Sequence, residues 1–187
     1  MNFSKYYLLI VVSIFINNYS FSQNCGSLIA EDKTIGSTHF LKSEDQTLVV
    51  RGNYTYSLQL INDEKGISAK FISKNGVDLN EGDEVIFMDT KKSRKSYRFV
   101  GMGEINTKRG TPIQTNTLEL DLAAINWFAT SPISTIYIRN YINNKMVKFT
   151  VTSNRQREFK SLATCFNNTI DKTKVDNKAM PNRNPSA

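Results

Sequence analysis

Histidine is almost missing: His39 is the only one among 187 residues. That excludes zinc sites built on two histidines, and with them the His-Glu-x-x-His metalloprotease helix. A serine–histidine–acid triad would have to recruit His39, and no Gly-x-Ser-x-Gly elbow is present. Glycine is sparse as well, nine in all. The one Gly-x-Gly, Gly101-Met102-Gly103, lacks the further glycine and the Lys-Ser partner of a phosphate loop. Cysteine is limited to Cys25 and Cys165, without the paired spacing of a structural zinc site. The sequence therefore offers no legible catalytic motif, no metal set and no cofactor motif.

Long hydrophobic runs are also scarce. The clearest, Tyr6 to Ile16, follows Lys5 and is followed by Asn17-Asn18-Tyr19 and Ser20-Phe21-Ser22. Small residues at positions 20 and 22 mark residues 1–22 as a signal peptide cut before Gln23. Its core is about 11 residues, against roughly 20 needed to span a bilayer, so no transmembrane span is expected after cleavage. The mature chain, about 165 residues, is long enough for one domain. It is expected in an oxidising compartment, whether periplasmic, outer-envelope or secreted, where two cysteines most simply form a Cys25–Cys165 disulfide. Closing so long a loop stabilises the fold by roughly 5 kcal/mol on the chain-entropy view. Acylation of Cys25 is disfavoured, because Asn24 and Ser22 occupy positions where a lipoprotein signal carries a small and an aliphatic residue.

The leader's ending, Phe21-Ser22 before Gln23, in a chain rich in Asn, Lys and Ile, resembles the small exported proteins of Bacteroidetes-type bacteria. The resemblance covers the leader and composition only. It implies a cell-envelope or secreted location and no particular activity. In such a bacterial route the sequons at Asn53 and Asn167 are incidental.

Alternation places most strands. Thr47 to Arg51 is a strand candidate, and Tyr54, Tyr56, Leu58 and Leu60 share one face of the next. Beyond a turn at residues 62–66, Ile67, Ala69 and Phe71 complete a hairpin. A second hairpin is expected from Glu84–Asp89 and Ser96–Val100 around a turn at 91–94. Residues 101–116 read as a long loop, and the segment from Cys25 to Asp45 has no clear period. Leu118 to Leu122 suggests a strand giving way to a short helix over 122–129. Ile133–Tyr141 and Met146–Thr152 form the clearest hairpin, around Asn143-Asn144. Ser153 and Gln156 have capping-box spacing, and Phe159, Leu162, Ala163 and Phe166 follow at helical intervals, with Cys165 on the flank of the stripe. The expected fold class is α+β: a mostly antiparallel sheet of about three hairpins with a C-terminal amphipathic helix. A β-sandwich with a helical cap is the alternative. Residues 23–166 make the single β-rich domain, and residues 167–187 a disordered polar tail.

Charge supplies the candidate surfaces. The net charge is +7, of which the leader removes only that of Lys5. A positive balance favours anionic partners, and export argues against nucleic acid as one of them. The run from Lys91 to Arg98 holds five cations, Lys91, Lys92, Arg94, Lys95 and Arg98, at an expected hairpin tip. On the last hairpin, burial of Ile136 and Ile138 turns Tyr137, Arg139 and Tyr141 outward, with Lys148 opposite. That face is either a contact surface or the seat of the 122–129 helix. The acids Glu81, Asp83, Glu84, Glu119 and Asp121 are the residual enzymatic option, a hydrolase working with two carboxylates. The expected function is an exported, non-enzymatic binding module that contacts an anionic surface, a glycan or a protein through the basic hairpin. The remaining alternative is an assembly role by strand addition.

Overall fold

In a computed structural model, residues 25–108 and 110–179 are described, with side chains through Asp171. The leader, with its expected cut before Gln23, lies outside them. The described strands are β1 (Ile29–Ile35), β2 (Thr38–Ser43), β3 (Gln46–Arg51), β4 (Tyr54–Asp63), β5 (Gly66–Lys74), β6 (Glu84–Asp89), β7 (Arg94–Lys108), β8 (Thr111–Glu119), β9 (Ile133–Arg139) and β10 (Met146–Thr150). Two helices join them, α1 (Leu122–Thr130) and α2 (Ser153–Ala179).

All strand pairs are antiparallel, in the order β1-β2-β4-β5-β8-β7-β6-β9-β10, with β3 also on β4. The sheet is thus larger than three hairpins. β7 connects its halves: Arg94–Arg98 pair with β6, and the strand beyond Phe99 pairs with β8. Within the β8 pairing, which starts at Phe99, the register shifts between Val100 and Glu104. The Gly-x-Gly serves this bulge. Gly101 has φ +73°, and a Cβ on Gly103 would stand 2.7 Å from the Leu79 carbonyl oxygen.

Period-two burial makes one face of the sheet apolar. Tyr56, Leu58, Leu60, Phe71, Val85, Phe87, Ile136, Ile138 and Phe149 all point inward and are buried. The sheet curls until Tyr56 of β4 meets Phe149 of β10, ring centroids 4.4 Å apart. Both helices lie on this inner side. Phe128 of α1 packs edge-on against Phe87 and against Phe159 of α2, at 5.2 and 5.3 Å. Asp121 caps α1 by accepting from the Ala124 N–H at 2.6 Å. The expected disulfide is formed: Cys25 and Cys165 are bonded, with Cα atoms 5.5 Å apart.

Several readings are corrected. The aperiodic segment after Cys25 holds the β1–β2 hairpin; β1 is mostly exposed and the pair polar, so no apolar face marks it. Residues 101–116 are mostly strand, because backbone pairing extends β7 to Lys108 and starts β8 at Thr111. Ser153 is helical rather than the capping half of a box, and the Gln156 amide donates to the Val151 carbonyl at 2.8 Å. Cys165, on the flank of the stripe, is buried. The polar tail placed from residue 167 is helical through Ala179, since buried Ile170 continues the stripe four residues past Phe166.

Tyr97, inward on β7, packs on Phe87 and Phe128. Burial, with Asp121 adding repulsion, pushes its phenol up to about 12 from 10.0. The unfolded phenol ionises first, so this residue's contribution to stability is whole below pH 10 and is lost as pH rises toward 12. Tyr97→Phe should therefore shift alkaline unfolding to higher pH, measured by circular dichroism. An unchanged alkaline midpoint would contradict this environment for Tyr97.

Candidate functional site

The basic run from Lys91 to Arg98 enters a strand, so consecutive side chains leave on opposite faces. Lys95, opposite Phe87 of β6, turns inward, and its Nζ lies 6.0 Å from the Trp127 ring centroid of α1. Arg94 and Arg98 turn outward, opposite Met88 and Glu84. Lys91 and Lys92 remain in the exposed turn. There the Asp89 carboxylate accepts from the N–H groups of Lys91 and Ser93, each at 2.8 Å, and Lys92 takes a positive φ of 67°. The run is not one basic finger: it divides between the turn, the outer face and the helix side.

The second candidate surface meets the first. β6 lies between β7 and β9, so Glu84 stands opposite both Arg98 and Arg139. Ile86 likewise stands opposite Ser96 and Tyr137. On β10, Lys148 faces Tyr137 and Met146 faces Arg139. Arg94, Arg98, Tyr137, Arg139 and Lys148 therefore share one outer face of four strands, and Tyr141 adjoins it. At a strand spacing of about 4.8 Å, this face is roughly 14 Å wide from β7 to β10. Helix α1 packs on the inner face, leaving this one uncovered among the described residues.

Each cation on the face has a distinct setting. Arg139 is ion-paired with Glu84. The Arg98 guanidinium lies 5.9 Å from the Tyr141 ring centroid, and the Lys148 ammonium 6.0 Å from that of Tyr137. Attraction to the ring faces orients both heads without neutralising them. Among the described residues Arg94, Arg98 and Lys148 have no carboxylate in ion-pair reach. Among the described residues, Glu84 is the carboxylate ion-paired on this face, against the four positive charges of Arg94, Arg98, Arg139 and Lys148.

Asp83 anchors the end of this face. It is 2 % exposed, and its carboxylate accepts from the Tyr141 N–H at 2.8 Å and the Asn140 amide at 3.2 Å. Its other oxygen accepts from the N–H and side-chain amide of Asn80, at 3.1 and 3.2 Å. Asn140 in turn accepts from the N–H groups of Ile142 and Asn143, both at 3.1 Å. Asn144, in the turn read as Asn143-Asn144, has φ 56°. The acid that sequence grouped with Glu81 and Glu84 as a catalytic option is thus engaged in holding the turn between β9 and β10.

Clefts open elsewhere. One of about 200 Å³ lies beside Asp83 and includes Asp78, Asn140 and Lys145. On the outer face of β4, β5 and β8, a hollow of about 600 Å³ is lined by Lys42, Asp45, Lys70, Glu104 and Lys108. A neighbour of about 400 Å³ includes Asp63 and Glu119. General acid work needs a carboxyl withdrawn from water, whereas Asp45, Glu104 and Glu119 are exposed. His39 bonds Asp32 at 2.8 Å across the β1–β2 hairpin. Among the described residues no group of three or more His, Cys, Asp or Glu is placed to hold a metal ion.

No protein-family model matches the chain, and neither a curated protein nor a solved structure matches it. The functional reading therefore rests on the geometry of the outer face. The residues that sequence reading missed there, Glu84, Ile86, Met88 and Met146, belong to it through long-range pairing, which leaves no local signal.

Proposed function

We propose that this protein is an exported, non-enzymatic binding module that contacts an anionic partner through the outer face of β7, β6, β9 and β10. The observation that carries the reading is the convergence of Arg94, Arg98, Arg139 and Lys148, with Tyr137 and Tyr141, on one sheet face that is uncovered among the described residues. A sheet fixes the backbone positions of these residues in register, so no loop has to be ordered when a polyanion docks. Export is supported by the leader pattern and by a disulfide of the kind that persists in oxidising compartments. No helix among the described residues is long and apolar enough to cross a membrane.

The test is the salt dependence of binding to dextran sulfate. Three or four displaced counterions predict a loss of about a hundredfold in affinity between 50 and 200 mM salt, on the counterion-release relation. Neutralising Arg94, Arg98 and Lys148 to glutamine should flatten that dependence, while neutralising Lys33, Lys65 and Lys74 should leave most of it. Equal effects from the two sets would reject the assignment of this face.

A further inference from the structure

We infer that the anionic partner is a lipid surface, and that the turn between β9 and β10 enters its headgroup layer while the cations hold its phosphates. The inference rests on the function proposed above and names the partner of the same face. Ile142 is 86 % exposed, Tyr141 63 % and Met146 54 %. A soluble polyanion gives such apolar groups nothing to bury against, whereas a bilayer interface does. The three sit at the edge of the cationic face: Met146 is the direct cross-strand partner of Arg139, and Arg98 lies over the Tyr141 ring. Charge complementarity therefore favours anionic headgroups, with each nearby Lys or Arg strengthening attachment about fivefold. Tyrosine suits the boundary, with an apolar ring and a wet hydroxyl.

The turn is built to present its apolar tip. Tyr141 is tied through its N–H to buried Asp83, and Ile142 through its N–H to Asn140. The Asn140 N–H donates to the Lys145 carbonyl, and the Asn143 side chain accepts from the Lys145 N–H, both at 2.9 Å. Ile142 thus projects from a hydrogen-bonded turn whose ordering needs no membrane. Met102 and Ile105 on β7 are exposed too, but Glu104 lies between them, and its charge opposes an anionic surface.

The test uses the mature chain and co-sedimentation with vesicles of phosphatidylcholine, alone or with part of the lipid replaced by phosphatidylglycerol. Binding is expected only to the mixed vesicles. The variant Ile142→Ser should weaken it about tenfold, from the lost apolar burial, and leave dextran sulfate affinity unchanged. Arg98→Gln/Lys148→Gln should weaken both. Ile142 is exposed, so the serine variant should keep its circular dichroism spectrum. Vesicle binding that ignores the serine variant, or equal binding to neutral and anionic vesicles, would overturn the inference. Binding to dextran sulfate without binding to vesicles would also overturn it, pointing to an acidic polysaccharide and leaving the proposed function standing. Failure to bind either would remove both.

Discussion

Reversing Arg94, Arg98, Arg139 and Lys148 to glutamate is expected to reduce affinity for dextran sulfate by at least about a thousandfold. Each surface cation near a polyanion contributes on the order of 1 kcal/mol, and reversal replaces that attraction with repulsion of similar size. Screening by salt lowers the figure, so titration at low ionic strength gives the clearest reading. Arg98 and Arg139 need a separate control, because glutamate at either position would set a second carboxylate opposite Glu84. A triple variant, Arg94→Glu, Arg98→Gln and Lys148→Glu, keeps the Arg139–Glu84 ion pair without adding a carboxylate opposite Glu84, and should still lose most of the affinity. The side chains point away from the core, so the thermal midpoint should move by only a few degrees. Affinity within threefold of wild type in the triple variant would mean that polyanions bind elsewhere.

The second large effect belongs to Asp83. Asp83→Ala should destabilise the fold by about 3–5 kcal/mol, because the carboxylate accepts four hydrogen bonds inside the protein. Two of the donors are backbone N–H groups, of Asn80 and Tyr141, which cannot turn to water as a side-chain amide can. For a domain of this size the expected fall in thermal midpoint is roughly 8–16 °C. Asp83→Asn should lose less, since one oxygen still accepts. Its new amide faces donors and leaves about half of the network unmade. Both variants should also speed amide hydrogen exchange at Tyr141 and Ile142, because this network orders the turn. A stability change below about 1 kcal/mol in the alanine variant would refute the anchoring role.

What was legible in the sequence is what local physics controls. Alternation at Tyr54, Tyr56, Leu58 and Leu60 gave the β4–β5 hairpin, and the period from Phe159 to Phe166 gave the packed face of α2. The cysteine count in an export context gave the disulfide. Elements with no buried stripe were hidden: β1 lies at the sheet edge, and the far half of β7 is exposed, so neither shows a period. Helix α2 was cut short because its polarity after Phe166 masks Ile170. The candidate surface was read in two pieces for a related reason. Which hairpins become neighbours is decided by the core beneath β6 and β9, where Val85 and Phe87 stand opposite Ile138 and Ile136. That pairing brings Arg98 and Arg139 to either side of Glu84. Lys95 shows the reverse: a cation inside a basic run, counted with its neighbours, faces α1.

The most direct measurement is a nuclear magnetic resonance titration of the mature protein with short dextran sulfate, following tyrosine ring, arginine Nε and backbone amide signals. Shifts should concentrate on Arg94, Arg98, Tyr137, Arg139, Tyr141 and Lys148, and amides of β6 should move with them although β6 carries no cation on that face. Shifts centred instead on Lys42, Lys70 and Lys108, or spread evenly over the surface, would contradict the account.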